Sequence, residues 1–322
     1  MRLMLLDTAS LYFRAFFGLP DSLRSPDGRP VNAVRGLLDM IAFLVTEHRP
    51  DRLVACWDDD WRPAFRVAAI PSYKEHRVAE RRDDGPDVEE VPDGLVPQVP
   101  VIVEVLAALG IARVGAPGFE ADDVIGTLVA RELAAVPDGG AAATPAGTGP
   151  QVAVVTGDRD LFQLVDDAAG VAILYPARGV RDPDVVDQAL LAEKYGVPTG
   201  AAYAEMAVLR GDPSDGLPGV RGVGEKTAAK LLATFGSLDE VLAAASAGAP
   251  GITPSQRTKI AEAADYLAVA PGVVQVAADA PVGSFDDALP SGPADPAALD
   301  ALAERWGIRS SVDRVLTALA AR

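Results

Sequence analysis

The chain opens with a short continuous apolar run, LMLL at residues 3–6, that stops at Asp7. The pattern returns at 53–57 (LVACW, stopping at Asp58) and at 152–155 (VAVV, followed by Thr156, Gly157 and Asp158). It returns again at 171–174 (VAIL), with a weaker case at 111–114 (IARV). Between these runs, apolar residues recur at helical spacing from about Val31 to Glu47, from Val96 to Leu109 and from Ala121 to Ala135. Short, fully apolar strands alternating with helices predict an α/β fold, a mostly parallel sheet with helices on both faces. From about Val180 the strand-like runs stop and helical patterns dominate, with breaks at Gly211–Gly224 and at 279–296. Residues 296–322 read as a terminal helix or helix pair. The expected division is an α/β core over 1–180 and a helical region over 181–322. The Gly/Pro/Ala-rich stretch 137–150 reads as a flexible insertion.

In a parallel sheet, ligands bind beyond the carboxyl ends of the strands. Asp7, Asp58 and Asp158 each follow a strand closely and are expected along one edge of the sheet, near one another. One such residue is ordinarily a solvated loop position; three together indicate a site. Other acids join them. Glu120, Asp122 and Asp123 stand at a helix start, with Glu120 and Asp123 on one face. Asp160 follows Asp158 by two positions, and Asp212 and Asp215 stand three apart after Gly211. At the second strand, Asp59 or Asp60 could take the place of Asp58. Grouped carboxylates repel one another unless a cation neutralises them. Hard oxygen donors favour Mg²⁺ or Mn²⁺. With two histidines and the single cysteine Cys56, a His-based triad, a zinc site and a disulfide framework are disfavoured. A site of many carboxylates suits two-metal hydrolysis of a phosphodiester.

Net charge complicates this picture. At −17, it argues against a nucleic-acid partner when taken by itself, because phosphate contacts need Lys and Arg. The charge is segregated, however. Between 62 and 82 stand Arg62, Arg66, Lys74, Arg77, Arg81 and Arg82, against only Glu75 and Glu80. Further on, PGVRGVGEKTAAKLL at 218–232 places Gly219, Gly222 and Gly224 in a tight turn before a helix starting near Glu225. The N–H groups of such a helix start can hold a phosphate oxygen, and Lys226 and Lys230 add charge. The string is not a Walker A loop. It reads as a helix-hairpin-helix that grips the DNA backbone without reading sequence. No apolar run approaches the ~20 residues that span a bilayer, and the N-terminal run is too short for a signal peptide. A cytoplasmic protein with no membrane association is expected.

The motifs LLDTASLYFRAFF, CWDDDWRPAFR, PSYKEHR, GFEADDVIGTL, TGDRDLFQLV, LRGDPSDGLPGVRGVGEKTA and KLLATFGSL occur in this order. Through them, from Leu3 to about Ala277, the sequence resembles the 5′-nuclease or flap endonuclease family. The branch is that of the bacterial 5′→3′ exonucleases, which includes the N-terminal domain of family-A DNA polymerases. No polymerase-like segment follows, so a stand-alone enzyme is expected. The resemblance implies a PIN-like nuclease core, a basic arch at about 60–95 that passes a single-stranded 5′ flap, and a helix-hairpin-helix at about 205–245. It implies structure-specific hydrolysis of DNA at 5′ flaps and 5′ ends in replication and repair, by a monomer, with RNA primers among its substrates. The alternative is a catalytically silent nuclease-like DNA-binding module, which would show a replaced metal position; none is replaced.

The family's roles fall on particular residues. Asp7, Asp58, Glu120, Asp122, Asp123, Asp158, Asp160, Asp212 and Asp215 match the metal-site carboxylates. Lys74, Arg14 and Arg77 match positions that contact or polarise the scissile phosphate, Lys74 as the catalytic cation. Arg62, Arg66, Tyr73 and Arg81 match DNA-binding positions of the arch, with Tyr73 stacking on a base. Gly219, Gly222, Gly224, Lys226, Thr227 and Lys230 match the hairpin that holds the duplex, with a K⁺ ion on its backbone carbonyls. Gly216 stands where many members carry Asn, a change expected to loosen the local turn or one contact that supports the site.

Overall fold

The computed structural model describes residues 3–82, 85–135 and 150–321. Apart from Pro150, the insertion at 137–150 lies outside the described residues. The strands are β1 (Leu3–Asp7), β2 (Arg52–Cys56), β3 (Val78–Glu80), β4 (Val88–Glu89), β5 (Ala112–Val114), β6 (Val152–Val155), β7 (Val171–Tyr175) and β8 (Asp184–Val186). The helices of the first half are α1 (Thr8–Gly18), α2 (Asn32–His48), α3 (Ala64–Ala69), α4 (Gln98–Leu109) and α5 (Ala121–Ala134). Then come α6 (Gln188–Tyr195), α7 (Gly200–Arg210), α8 (Glu225–Phe235), α9 (Leu238–Ala247), α10 (Pro254–Glu262), α11 (Ala264–Val274), α12 (Pro296–Trp306) and α13 (Arg309–Ala320).

The main sheet runs in the order β5-β2-β1-β6-β7-β8. Its first five strands are parallel, and β8 pairs antiparallel with β7 at the edge. Side chains alternate across the pleat, so every strand feeds both faces. Leu3, Leu5, Val54, Cys56, Val152 and Val154 join α5, α7, α8 and α11 in one core. Met4, Leu6, Leu53, Ala55, Ala153 and Val155 join α2, α4, α12 and α13 in the other. Strands buried on both faces explain why the runs are apolar throughout rather than alternating.

The parallel registers bring three strand ends level. Asp7 stands opposite Cys56, and Leu6 opposite Val155. The residues that follow β1, β2 and β6 therefore open onto the same edge.

Three features depart from the sequence reading. Helix α1 was not expected, because in TASLYFRAFFG Leu11 and Ala15 extend the apolar surface well beyond the aromatic stripe, and the spacing shows no clear polar face. The edge strand β8 lies beyond Val180, where strands were expected to stop. Helices α12 and α13 belong in sequence to the C-terminal helical region but pack on α4 and α2 over the α/β sheet.

Candidate active site

Asp7 ends β1 and caps α1, its Oδ1 accepting the Ser10 N–H at 3.2 Å. A strand that turns at once into a helix leaves its last residue at the sheet edge, with the cap fixing its side chain. Asp7 Oδ2 accepts the Thr156 hydroxyl at 2.6 Å, and the same hydroxyl oxygen accepts the Asp158 N–H at 2.8 Å. The turn after β6 is thereby tied to the turn after β1. Gly157 N–H completes the tie by donating to Ser10 Oγ at 2.9 Å. Asp58 accepts the Ala121 N–H at 2.8 Å and so joins the β2 end to the start of α5. Asp59 packs over Gly115, and Asp60 caps the Arg62 N–H at 3.1 Å. Of the three consecutive aspartates, only Asp58 lines the cavity described next.

That cavity, about 980 Å³ in volume, lies at the carboxyl edge of the sheet. Asp7, Asp58, Glu120, Asp122, Asp158, Asp160 and Asp212 line it, as do Lys74, Arg77, Arg159 and Arg210. Asp215 approaches it through Arg77, at 2.8 Å, and Lys74, at 4.0 Å. Burial, with the charges of Asp58 and Asp158, pushes the Asp7 carboxyl up to about 7 against the hydrogen bonds it accepts. Burial, with Asp158, Asp215 and Asp212, pushes Asp160 up to about 8. Asp58, Glu120, Asp122 and Asp158 are also raised, chiefly by burial. Asp158 is exposed at the cavity surface. For Lys74, burial pulls the ammonium down, and the surrounding anions, Glu120 foremost, more than offset this and hold it above its ordinary value.

Carboxyls that burial and mutual crowding hold back from ionising are relieved by a cation among them, and oxygen is the only donor type they offer. That donor set fits a hard divalent cation. As the side chains stand, no three acids among the described residues converge on one ion position. Closing on an ion therefore takes rotamer changes of the acids that line the cavity, Asp122, Asp160 and Asp212 among them.

Lys74 is placed by its backbone as much as by its charge. It adopts a left-handed conformation, φ 48°, which is uncommon for a residue with a Cβ and recurs at functional sites. Its N–H donates to Asp215 O at 3.0 Å, and its ammonium pairs with Glu120. Ser72 Oγ donates to Gly216 O at 2.7 Å. A Cβ on Gly216, φ +71°, would stand 2.0 Å from Ser72 O. The glycine thus does the opposite of what the sequence implied: it lets the Lys74 segment close on the Asp212–Gly216 turn.

The packing turns several of the expected residues away from the cavity or from solvent. Asp123 is fully buried, and both its oxygens accept from Arg66, at 2.7 Å each. It also accepts the Glu120 and Ala277 N–H groups, so it caps α5 and ties the chain together rather than facing the cavity. Arg66 itself is 2% exposed and donates to Glu120, Asp123 and Val273 O, so it presents no guanidinium to DNA. Arg62 is buried on Tyr73 O, Pro71 O and Asp87. Tyr73 is 4% exposed with its hydroxyl on Glu120, so its ring is not presented to solvent as the side chains stand. Glu120 lines the cavity with both oxygens engaged, by Arg66, Tyr73 and Lys74. The segment expected as an arch contains α3, which packs against α11, a short turn at 75–77 and the β3–β4 ribbon; Arg77 is half-buried on Asp215, while Arg81 and Arg82 are exposed.

Arg14 lies beside the cavity with Ser10, Phe17, Gly18 and Gly157. In the hairpin, Gly219 and Gly222 have positive φ, and a Cβ at Gly219 would meet Arg210 O at 2.4 Å. Gly224 caps α8, Thr227 lies in its first turn, and Lys226 and Lys230 are exposed on it. Sequence reasoning missed Tyr12, Trp57, Glu89, Arg159 and Arg210 as lining residues. All but Glu89 stood inside the quoted motifs, and nothing in their spacing said which way they point.

A parallel α/β sheet with an acidic basin at its carboxyl edge and a shielded lysine beside the acids defines a nuclease of the carboxylate type. The chain belongs to the 5′-3′ exonuclease family: its N-terminal resolvase-like domain model matches residues 2–196 and its C-terminal SAM-fold model residues 198–297. A 5′-3′ exonuclease of Streptomyces coelicolor is 63% identical over 318 residues, covering 99% of this chain and 100% of the relative. One from Mycobacterium tuberculosis is 53% identical over 324 residues, covering 98% and 97%. DNA polymerase I of Mycobacterium bovis is 42% identical over 237 residues, 73% of this chain and 23% of the polymerase. Among solved structures, the bacteriophage T5 D15 flap endonuclease in complex with DNA and metal ions aligns with a TM-score of 0.65 at 16% identity, over 99% of both chains. The catalytic core of Rad2 with DNA substrate aligns at 0.59 and 18%, over 98% of this chain and 92% of that one. At those identities the structures show a shared fold.

Proposed function

We propose that this chain hydrolyses phosphodiester bonds of DNA near single-strand/duplex junctions, at 5′ flaps and 5′ ends, using divalent ions held in the acidic basin. The observation that carries the reading is the gathering of acids from β1, β2, α5, β6 and the Asp212–Asp215 turn around one cavity, with Lys74 among them. Asp7, Asp58, Asp122 and Asp158 would hold one ion and Asp160, Asp212 and Asp215 a second, Mg²⁺ or Mn²⁺. When bound, such ions supply water activation and charge neutralisation for an in-line displacement.

The chain's own residues do the rest. Lys74, kept protonated by Glu120, Asp215 and Asp122, sits where charge grows on the phosphate oxygens. Arg77 and Arg14 flank it as phosphate contacts. Glu120 anchors Lys74. Gly219, Gly222, Gly224, Lys226, Thr227 and Lys230 hold the duplex backbone at the start of α8, with a K⁺ ion on the hairpin carbonyls. Arg81 and Arg82 are exposed bases of the 60–95 segment placed to meet the flap. The enzyme acts as a cytoplasmic monomer and accepts RNA primers at the 5′ end. No helix among the described residues is long and apolar enough to cross a membrane.

The test incubates a 5′-labelled flap duplex with the protein in Mg²⁺, Mn²⁺ or EDTA. Cleavage at the junction with either metal and none in EDTA is expected. Absence of product with both metals would overturn the reading.

A further inference from the structure

On the wall of the basin, two arginines converge on one carboxylate. Arg210, the last residue of α7, places Nη1 3.2 Å from Glu225 Oε2, and Arg159 places Nη2 3.6 Å from the same oxygen. Glu225 is the first residue of α8, directly after the glycine turn. The other end of the Arg210 guanidinium, Nη2, lies 3.7 Å from Asp212 Oδ2. That is an ion pair too long for a hydrogen bond. Asp212 Oδ1 is already held by the N–H and hydroxyl of Ser214, at 2.8 and 2.5 Å. Oδ2 is therefore the oxygen left to face a cation. Arg210 cannot drift far: its side chain is 13% exposed, its Nε donates to Gly211 O at 3.2 Å, and it lies 5.9 Å from the centre of the Tyr203 ring.

We propose that Arg210 is an internal counter-cation of the Asp160–Asp212 half of the basin, a positioning residue tethered by Glu225 that competes with a divalent ion for Asp212 and thereby sets the affinity of that half. The proposal rests on the metal reading given above. A guanidinium stays charged at any working pH, so its influence on Asp212 depends on where Glu225 holds it. The tether has a further consequence. Glu225 belongs to the helix start that meets the duplex, so a shift of α8 moves Arg210 relative to Asp212.

The experiment measures Mn²⁺ binding to DNA-free protein by calorimetry and by the spin-resonance signal of free Mn²⁺, for the wild type, Arg210→Met, Arg210→Lys and Glu225→Gln. Loss of a unit charge a few ångströms from the ion makes Arg210→Met bind the weaker Mn²⁺ roughly tenfold more tightly. Glu225→Gln frees the guanidinium for Asp212 and weakens that ion by about threefold. Arg210→Lys keeps the charge and stays within about twofold of the wild type. Melting curves in EDTA establish that each variant is folded. Unchanged or weaker binding in Arg210→Met, or tighter binding in Glu225→Gln, overturns the role of Arg210 while leaving the metal site standing. No Mn²⁺ binding to the wild type overturns the metal reading and this proposal together.

Discussion

Replacing Gly216 with alanine tests how Lys74 is placed. The new Cβ would stand 2.0 Å from Ser72 O, 2.9 Å from Ser72 C and 3.4 Å from Lys74 N. Real Cβ contacts stay beyond 3.0 Å, so the Ser72–Lys74 segment and the Asp212–Gly216 turn must part by at least about 1 Å. Two hydrogen bonds span that seam, Ser72 Oγ to Gly216 O and Lys74 N to Asp215 O. The φ of +71° adds a backbone cost of about 1–2 kcal/mol for any L-residue with a side chain. A misplacement of about 1 Å in a catalytic group lowers rate by roughly 100-fold. Single-turnover cleavage of a flap duplex at saturating metal should therefore fall by that order. DNA affinity, carried mainly by the hairpin, should stay within about twofold of the wild type. Wild-type cleavage by a folded Gly216→Ala protein would refute the claim that this close approach positions Lys74.

Other outcomes follow from the same contacts. Arg66→Met strands the buried Asp123 without its counter-charge, Glu120 keeping Lys74, and should cost about 3–5 kcal/mol in urea unfolding. If Arg66 bound DNA instead, stability would hold and the salt dependence of DNA binding would weaken. In EDTA, the melting temperature should fall as pH rises from about 5.5 to 8.5. The reason is that Asp7 and Asp160 keep protons to about 7 and about 8 in the fold, while the unfolded chain releases them near 3.8. A melting temperature that climbs with pH in EDTA contradicts the crowded-carboxylate picture, and added Mn²⁺ should stabilise more at pH 8 than at pH 6. Lys74→Ala should lower cleavage by roughly 100-fold or more at unchanged DNA affinity, and full cleavage would remove Lys74 from the mechanism.

Much of this architecture was legible in the sequence. The runs at 3–6, 53–57 and 152–155 are buried strands, and the aspartates after them meet at one edge because parallel registers level those ends. The acids of the Asp158–Asp160 and Asp212–Asp215 pairs were legible for the same reason: they follow elements whose ends are fixed. The errors lie where charge sign was read without its partner. Arg62, Arg66 and Tyr73 looked like a basic, aromatic face for DNA. Arg66 in fact meets acids 54 and 57 positions along the chain, and no local pattern encodes so distant a pairing. Asp123 shared a helical face with Glu120 as expected, but Arg66 takes up both oxygens of the Asp123 carboxylate, while Glu120 stays on the cavity wall. Gly216 was read from its own turn alone. Its function lies in what the absent side chain admits, a carbonyl from Ser72.

The central claim is that the acids at the strand ends are the catalytic centre and the hairpin is the DNA grip. The most direct measurement follows cleavage and DNA binding of one 5′-flap substrate in parallel, with wild type and Asp158→Ala, in Mg²⁺ and in EDTA. Wild type should cut at the junction only with metal, and Asp158→Ala should bind the flap with wild-type affinity yet fail to cut it. Metal-dependent cutting by Asp158→Ala at the wild-type rate, or cutting by the wild type in EDTA, would contradict the account.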